Sequence, residues 1–161
     1  MSPNYAKPYV LVLPEDKANS DLATGFHLGV DFSRQRQMQV LRPSRGWIDL
    51  LECFKADHVS RMRGNGNQLM VLLIDLDDRE DRLTFAKAQI PSDLTERVFV
   101  LSAMSEPEAL KAAGLGSYEI IGSKLANDCR EETADTWSHD LLRHNASELE
   151  RLIEYVRPIL F

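Results

Sequence analysis

A chain of 161 residues, 43% of them apolar and 27% charged, has the length and balance of one globular core and is not a disordered, collagen-like or low-complexity tract. Its longest apolar run, Leu69 to Ile74, has six residues against the roughly 20 a membrane-crossing helix needs, so no membrane role is expected. The formal net charge of −6 excludes a wholly basic, histone-like binder. Within Val30–Asn65, however, Arg34, Arg36, Arg42, Arg45, Lys55, Arg61 and Arg63 outnumber the acidic side chains. A basic segment is therefore embedded in an acidic chain.

The first apolar run, Tyr9 to Leu13, is closed by Pro14 and followed by Glu15-Asp16. Residues 15–29 read as a helix. The second run, Met38 to Leu41, ends at Pro43 and is flanked by Arg42 and Arg45. Trp47, Leu50, Leu51 and Phe54 then repeat at i, i+3, i+4, i+7, the stripe of a helix lying on a sheet. Gly64-Asn65-Gly66-Asn67 is a turn signal, without the Lys-Ser/Thr of a phosphate-binding P-loop. It leads into the third run, Leu69 to Ile74, which ends on Asp75-Leu76-Asp77-Asp78. Residues 79–90 are helical by pattern. The fourth run, Arg97 to Leu101, is followed by Ser102-Ala103 and then Ser105-Glu106-Pro107-Glu108. Near-continuous rather than alternating apolarity marks strands buried on both faces, as in a parallel sheet.

Helices are expected over 106–113 and 117–129, the latter with Tyr118, Ile121 and Leu125 on one face. The last helix carries Leu149, Leu152, Ile153 and Val156. Ser147 and Glu150 have the capping-box spacing for its start, and Pro158 should stop it. Strands alternating with helices predict an α/β fold of about four mostly parallel strands with helices on both faces. The whole of residues 1–161 reads as one domain, with about 126–161 as a helical C-terminal extension.

Ligands of open α/β sheets bind beyond the carboxyl ends of the strands. Three of the four strand ends here carry carboxylates. Gathered on one edge they repel one another, a conflict that a divalent cation removes. Asp75-x-Asp77 at a strand end should point both carboxylates the same way, toward one ion or a pair. Asp77 with Glu80, and Ser105 with Glu108, also fit capping boxes.

A glutamate after strand one, a D-x-D after strand three and a further glutamate after the next strand resemble the toprim domain of topoisomerases, bacterial primases and overcoming-lysogenization-defect type nucleases. Ser105 to Leu110 is similar to the acidic E-x-E-A-L stretch of small toprim-like proteins. The resemblance spans about residues 8–125. It implies Mg²⁺- or Mn²⁺-dependent phosphodiester chemistry, with Glu15 in acid/base work, a metal site built by Glu15, Asp75 and Asp77, all three catalytic, and Glu106 or Glu108 assisting as metal ligands. Asp16 departs from the glycine that often follows the first glutamate, and no motif supplies a tyrosine nucleophile. Arg42 and Arg45 would hold a phosphate against the metal. The implied molecule is a nuclease subunit acting on nucleic acid, with a protein partner or a second copy of itself.

A rival pattern resembles the receiver domains of signalling proteins, with Glu15-Asp16 as acidic pair, Asp75 as phosphoacceptor and Ser102-Ala103 after strand four. It needs Lys124 at the end of a fifth strand, with 118–123 extended. An inactive toprim-like scaffold is a third reading. His139 and His144, with Cys129 and Asp140 nearby, offer weak zinc spacing. Cys53 and Cys129 are too few for a disulfide framework, and Lys7-Pro8 interrupt the N-terminus before any leader-like stretch. A cytoplasmic location is therefore expected.

Overall fold

The four apolar runs pair as one all-parallel sheet in the order β2-β1-β3-β4 in the computed structural model, which describes residues 2–161. The strands are β1 (Tyr9–Pro14), β2 (Met38–Val40), β3 (Gln68–Asp75) and β4 (Val98–Ala103). In register, Val12 lies beside Val40 and Val71, and Asp75 beside Ala103. Helix α1 (Lys17–Leu28) follows β1. After β2, α2 (Trp47–Cys53) runs through a π-helical turn, Phe54–His58, into α3 (Val59–Gly64). Helix α4 (Glu80–Ala88) joins β3 to β4, and α5 (Pro107–Ala112) and α6 (Tyr118–Glu131) follow β4. The chain ends in α7 (Ala146–Arg151), a second π-helical turn, Leu152–Val156, and α8 (Arg157–Leu160).

Both faces of the sheet are covered, as the unbroken apolarity of the strands requires. Val10, Val12, Val71 and Phe99 pack with Leu22, Ile121, Leu125, Trp137 and Leu152 from α1, α6 and the C-terminal segment. Leu11, Leu13, Met70, Leu72 and Val100 pack on the other face with Leu50, Phe54, Met62 and Ala86. Helices α1 and α6 meet backbone to backbone. A methyl group on Gly122 would lie 2.1 Å from the Leu22 carbonyl oxygen, and one on Gly25 2.3 Å from that of Glu119. Only glycine permits that approach.

The C-terminal segment has a task that periodicity does not reveal. β4 is an edge strand, and its outward backbone groups need partners. The Val100 N–H donates to Glu148 Oε2 (2.8 Å), and Ser102 exchanges hydrogen bonds with the Asn145 amide (3.1 and 2.8 Å). Met104 N–H donates to the Leu141 carbonyl at 2.8 Å. Side chains thus do the work of a fifth strand. Asn145 consequently makes no N-terminal cap for α7, whose first residue is Ala146, so Ser147 lies inside the helix and the expected capping box does not form. Pro158 does not end the helix either. It falls in the first turn of α8, just after the π-helical turn has shifted the hydrogen-bond ladder, where its missing N–H is tolerated. The Asp77–Glu80 and Ser105–Glu108 boxes are likewise absent, since neither α4 nor α5 carries a side-chain cap. Among the described residues no helix is long and apolar enough to cross a membrane.

Candidate metal centre

The chain leaves β1 toward β2 on one side and returns to β3 on the other, so the crevice of this sheet opens at the carboxyl ends of β1 and β3. Glu15 stands at the first of these ends and Asp75 at the second. The Glu15 N–H continues the ladder onto the Leu73 carbonyl (2.9 Å), and Glu15 Oε2 accepts the Asp75 N–H at 2.6 Å. Asp16 caps α1 by accepting the Asn19 N–H at 3.0 Å. One turn into the helix, Asn19 Nδ2 donates to both Asp16 Oδ1 (3.0 Å) and Asp75 Oδ1 (2.9 Å). The glycine contact with α6 fixes α1, and α1 fixes Asp16 and Asn19. Carboxylate oxygens of Glu15, Asp16 and Asp75 lie within 4.8 Å of one another.

Two of these carboxylates, Glu15 and Asp75, are buried and resist ionisation. Burial, reinforced by the charges of Glu15, Asp16 and Glu108, pushes the Asp75 carboxyl up to about 8, against the stabilising Asn19 hydrogen bond. Burial also raises Glu15; the Asp75 N–H and the Arg82 charge oppose this, and Asp16 and Asp77 add to it. The donors are hard oxygens, the set that Mg²⁺ and Mn²⁺ take. Asn19 is 1% exposed and turns its Nδ2 toward the carboxylates, while its Oδ1 is buried without a hydrogen-bond partner; a flip of the amide would add a neutral oxygen to the set. These residues fit a divalent cation.

The cluster differs in membership from the sequence expectation. Asp77 does not join it. The strand ends at Asp75, Leu76 is fully buried, and Asp77 and Asp78 take left-handed backbone (φ 49° and 57°), so strand alternation no longer governs where Asp77 points. Its carboxylate is half exposed and pairs with Arg82 at 3.1 Å. Glu106 and Glu108 are exposed at the start of α5 and lie outside the cluster, although the Glu108 charge is felt at Asp75. Arg42 and Arg45 are exposed in the loop after β2. That loop is tied to the site by Ser44 N–H to the Pro14 carbonyl (2.9 Å) and Gly46 N–H to the Glu15 carbonyl (3.3 Å). Neither arginine forms a salt bridge among the described residues.

Residues 118–123 are helical, not extended, and Lys124 donates to the Leu115 carbonyl within that region, so no fifth strand presents it to Asp75. Ser102 Oγ is paired with His144 Nε2 at 2.8 Å. His139 Nδ1 accepts the Leu141 N–H, and burial pushes the Cys129 thiol up to about 12, so the suggested zinc set is not assembled. Sequence reasoning did not count Asp16 among the metal donors and passed over Asn19 and Arg82. The spacing of Asp16 to Asn19, helix cap to first turn, was the available signal. No protein-family model, curated protein or solved structure matches the chain.

Proposed function

We propose that this protein is a toprim-like, divalent-metal-dependent enzyme that cleaves phosphodiester bonds in nucleic acid. One observation carries the reading: Glu15, Asp16 and Asp75 converge within 4.8 Å at the switch point of a parallel sheet, beside an unpartnered buried Asn19 oxygen. In this reading Glu15, Asp16 and Asp75 hold Mg²⁺ or Mn²⁺, and Asn19, its amide flipped when the ion binds, offers Oδ1 as a neutral fourth donor. Such an ion supplies charge neutralisation of the phosphate and acidification of bound water. Glu15 Oε2 is committed to the Asp75 N–H, which leaves Oε1 as its ligand oxygen. Arg42 and Arg45, unpaired at the rim, grip the phosphate backbone of the substrate.

The test is incubation of the protein with supercoiled plasmid and with single-stranded DNA at increasing Mn²⁺. Nicking by the wild type and its loss in Asp75→Ala is the expected outcome. Metal-independent nicking, or nicking retained by the variant, overturns the reading. The receiver-like alternative shares the Glu15-Asp16 pair beside Asp75. It requires stable phosphorylation of Asp75 by a small phosphodonor with no nicking at all.

A further inference from the structure

We infer that the Arg82 guanidinium is a built-in cation occupying the second position of this centre, so that the Glu15–Asp16–Asp75 cluster takes one divalent ion and not two. The inference rests on the metal reading above and adds the number of ions and the residue that sets it. Beside the cluster, on the amide whose Nδ2 bonds Asp16 and Asp75, the buried Asn19 Oδ1 has no hydrogen-bond partner.

A two-ion phosphoryl-transfer site holds its metals roughly 3.5–4 Å apart on shared and flanking carboxylates. The flanking carboxylate here is Asp77, and it is already engaged. Arg82 Nη2 lies 3.1 Å from Asp77 Oδ2, while Nη1 donates to the Asp75 carbonyl at 3.2 Å. The same guanidinium sits 5.0 Å over the Trp47 ring, which Phe85 meets edge-on at 5.5 Å. Only 15% of the Arg82 side chain is exposed. Held by a carboxylate, a carbonyl and an aromatic face, the charge cannot swing aside without giving up all three contacts.

The guanidinium therefore stands on the backbone carbonyl of a cluster residue, and its charge is felt at Glu15. An ion on Asp77 would have to displace it or lie against it, and like charges repel strongly where water is scarce. Arg82 is a positioning residue in this scheme: it sets the local charge and the course of the Asp75–Asp77 turn.

Equilibrium dialysis of the full chain against Mn²⁺, with bound metal counted per chain, tests this. The wild type should bind one ion, and Arg82→Gln two, the second lost again in the Arg82→Gln/Asp77→Asn double variant. Arg82→Lys should stay at one. Arg82→Met, which keeps the packing on Trp47, replaces Arg82→Gln if the latter melts early. No ion in the wild type but one in Arg82→Gln would uphold Arg82 as the resident cation while the metal reading of the wild type falls. Two ions in the wild type, or the same count with and without the Arg82 charge, including none in either, overturns the inference.

Discussion

Two carboxylates are buried to the same depth in this molecule, and the fold treats them in opposite ways. Glu148 and Asp75 are each 6% exposed. Glu148 is neutralised and fully bonded: Oε1 takes Arg151 Nη1 at 2.5 Å, and Oε2 takes the Val100 N–H at 2.8 Å. The Asp75 carboxylate receives a neutral amide from Asn19 and has Glu15 and Asp16 as neighbours, while Arg82 bonds its backbone carbonyl and not its carboxylate. A buried charge with its counter-charge supplied is a structural device. One surrounded by like charges is costly until something outside the chain relieves it. That difference, and not burial or acidity, separates the β4 seam from the candidate site.

Breaking the compensated pair should have the largest effect. Glu148→Ala leaves Arg151 without its carboxylate and Val100 N–H without an acceptor, and should cost about 3–5 kcal/mol, read from urea unfolding. The same variant should leave Mn²⁺ binding unchanged.

The uncompensated site should respond to metal. Mn²⁺ at about 100 times its Kd should stabilise the wild type by about 2.7 kcal/mol, seen as a rise in Tm that Asp75→Asn abolishes. An equal rise in both proteins would place the ion elsewhere.

Next in size is the pH dependence of the metal-free protein. The folded-state Asp75 carboxyl, at about 8, lies above its ordinary 3.8, so the folded chain binds more protons between these values. The contribution of the protonated Asp75 carboxyl to stability is therefore full below about pH 4 and is lost as pH rises through about 8. Asp75→Asn, always neutral, should be stabilised relative to wild type at pH 8 by about 1–2 kcal/mol, or roughly 2–8 °C in Tm, and much less at pH 5. A steeper loss of stability with pH in the variant would contradict the assignment.

The smallest stability effect belongs to the rim. Arg42→Ala/Arg45→Ala removes charges that form no salt bridge among the described residues, so stability should change by less than about 0.5 kcal/mol. Nucleic-acid affinity, measured by fluorescence anisotropy at low salt, should fall at least tenfold. A melting shift without an affinity change would make these arginines structural.

The amino-acid order alone determined the alternation of strand and helix, because runs such as Tyr9–Leu13 and Leu69–Ile74 carry their burial on every residue. It also placed Glu15 and Asp75 at strand ends, since each directly follows or ends an apolar run and the carboxyl-end rule is one of topology. Local pattern could not give the membership of the cluster. Asp77 satisfies a spacing rule that holds only while the chain stays a strand, and the left-handed turn at Asp77–Asp78 ends that. Asn19, Arg82 and the Asn145–Glu148 seam look like ordinary polar residues of helices or turns. Their roles arise from contacts 56, 48 or 43 residues apart for Asn19–Asp75, Glu148–Val100 and Asn145–Ser102, and from Arg82 reaching back to the end of β3. Which carboxylate receives a counter-charge is decided by what the tertiary fold brings beside it. Sequence spacing cannot encode that electrostatic outcome.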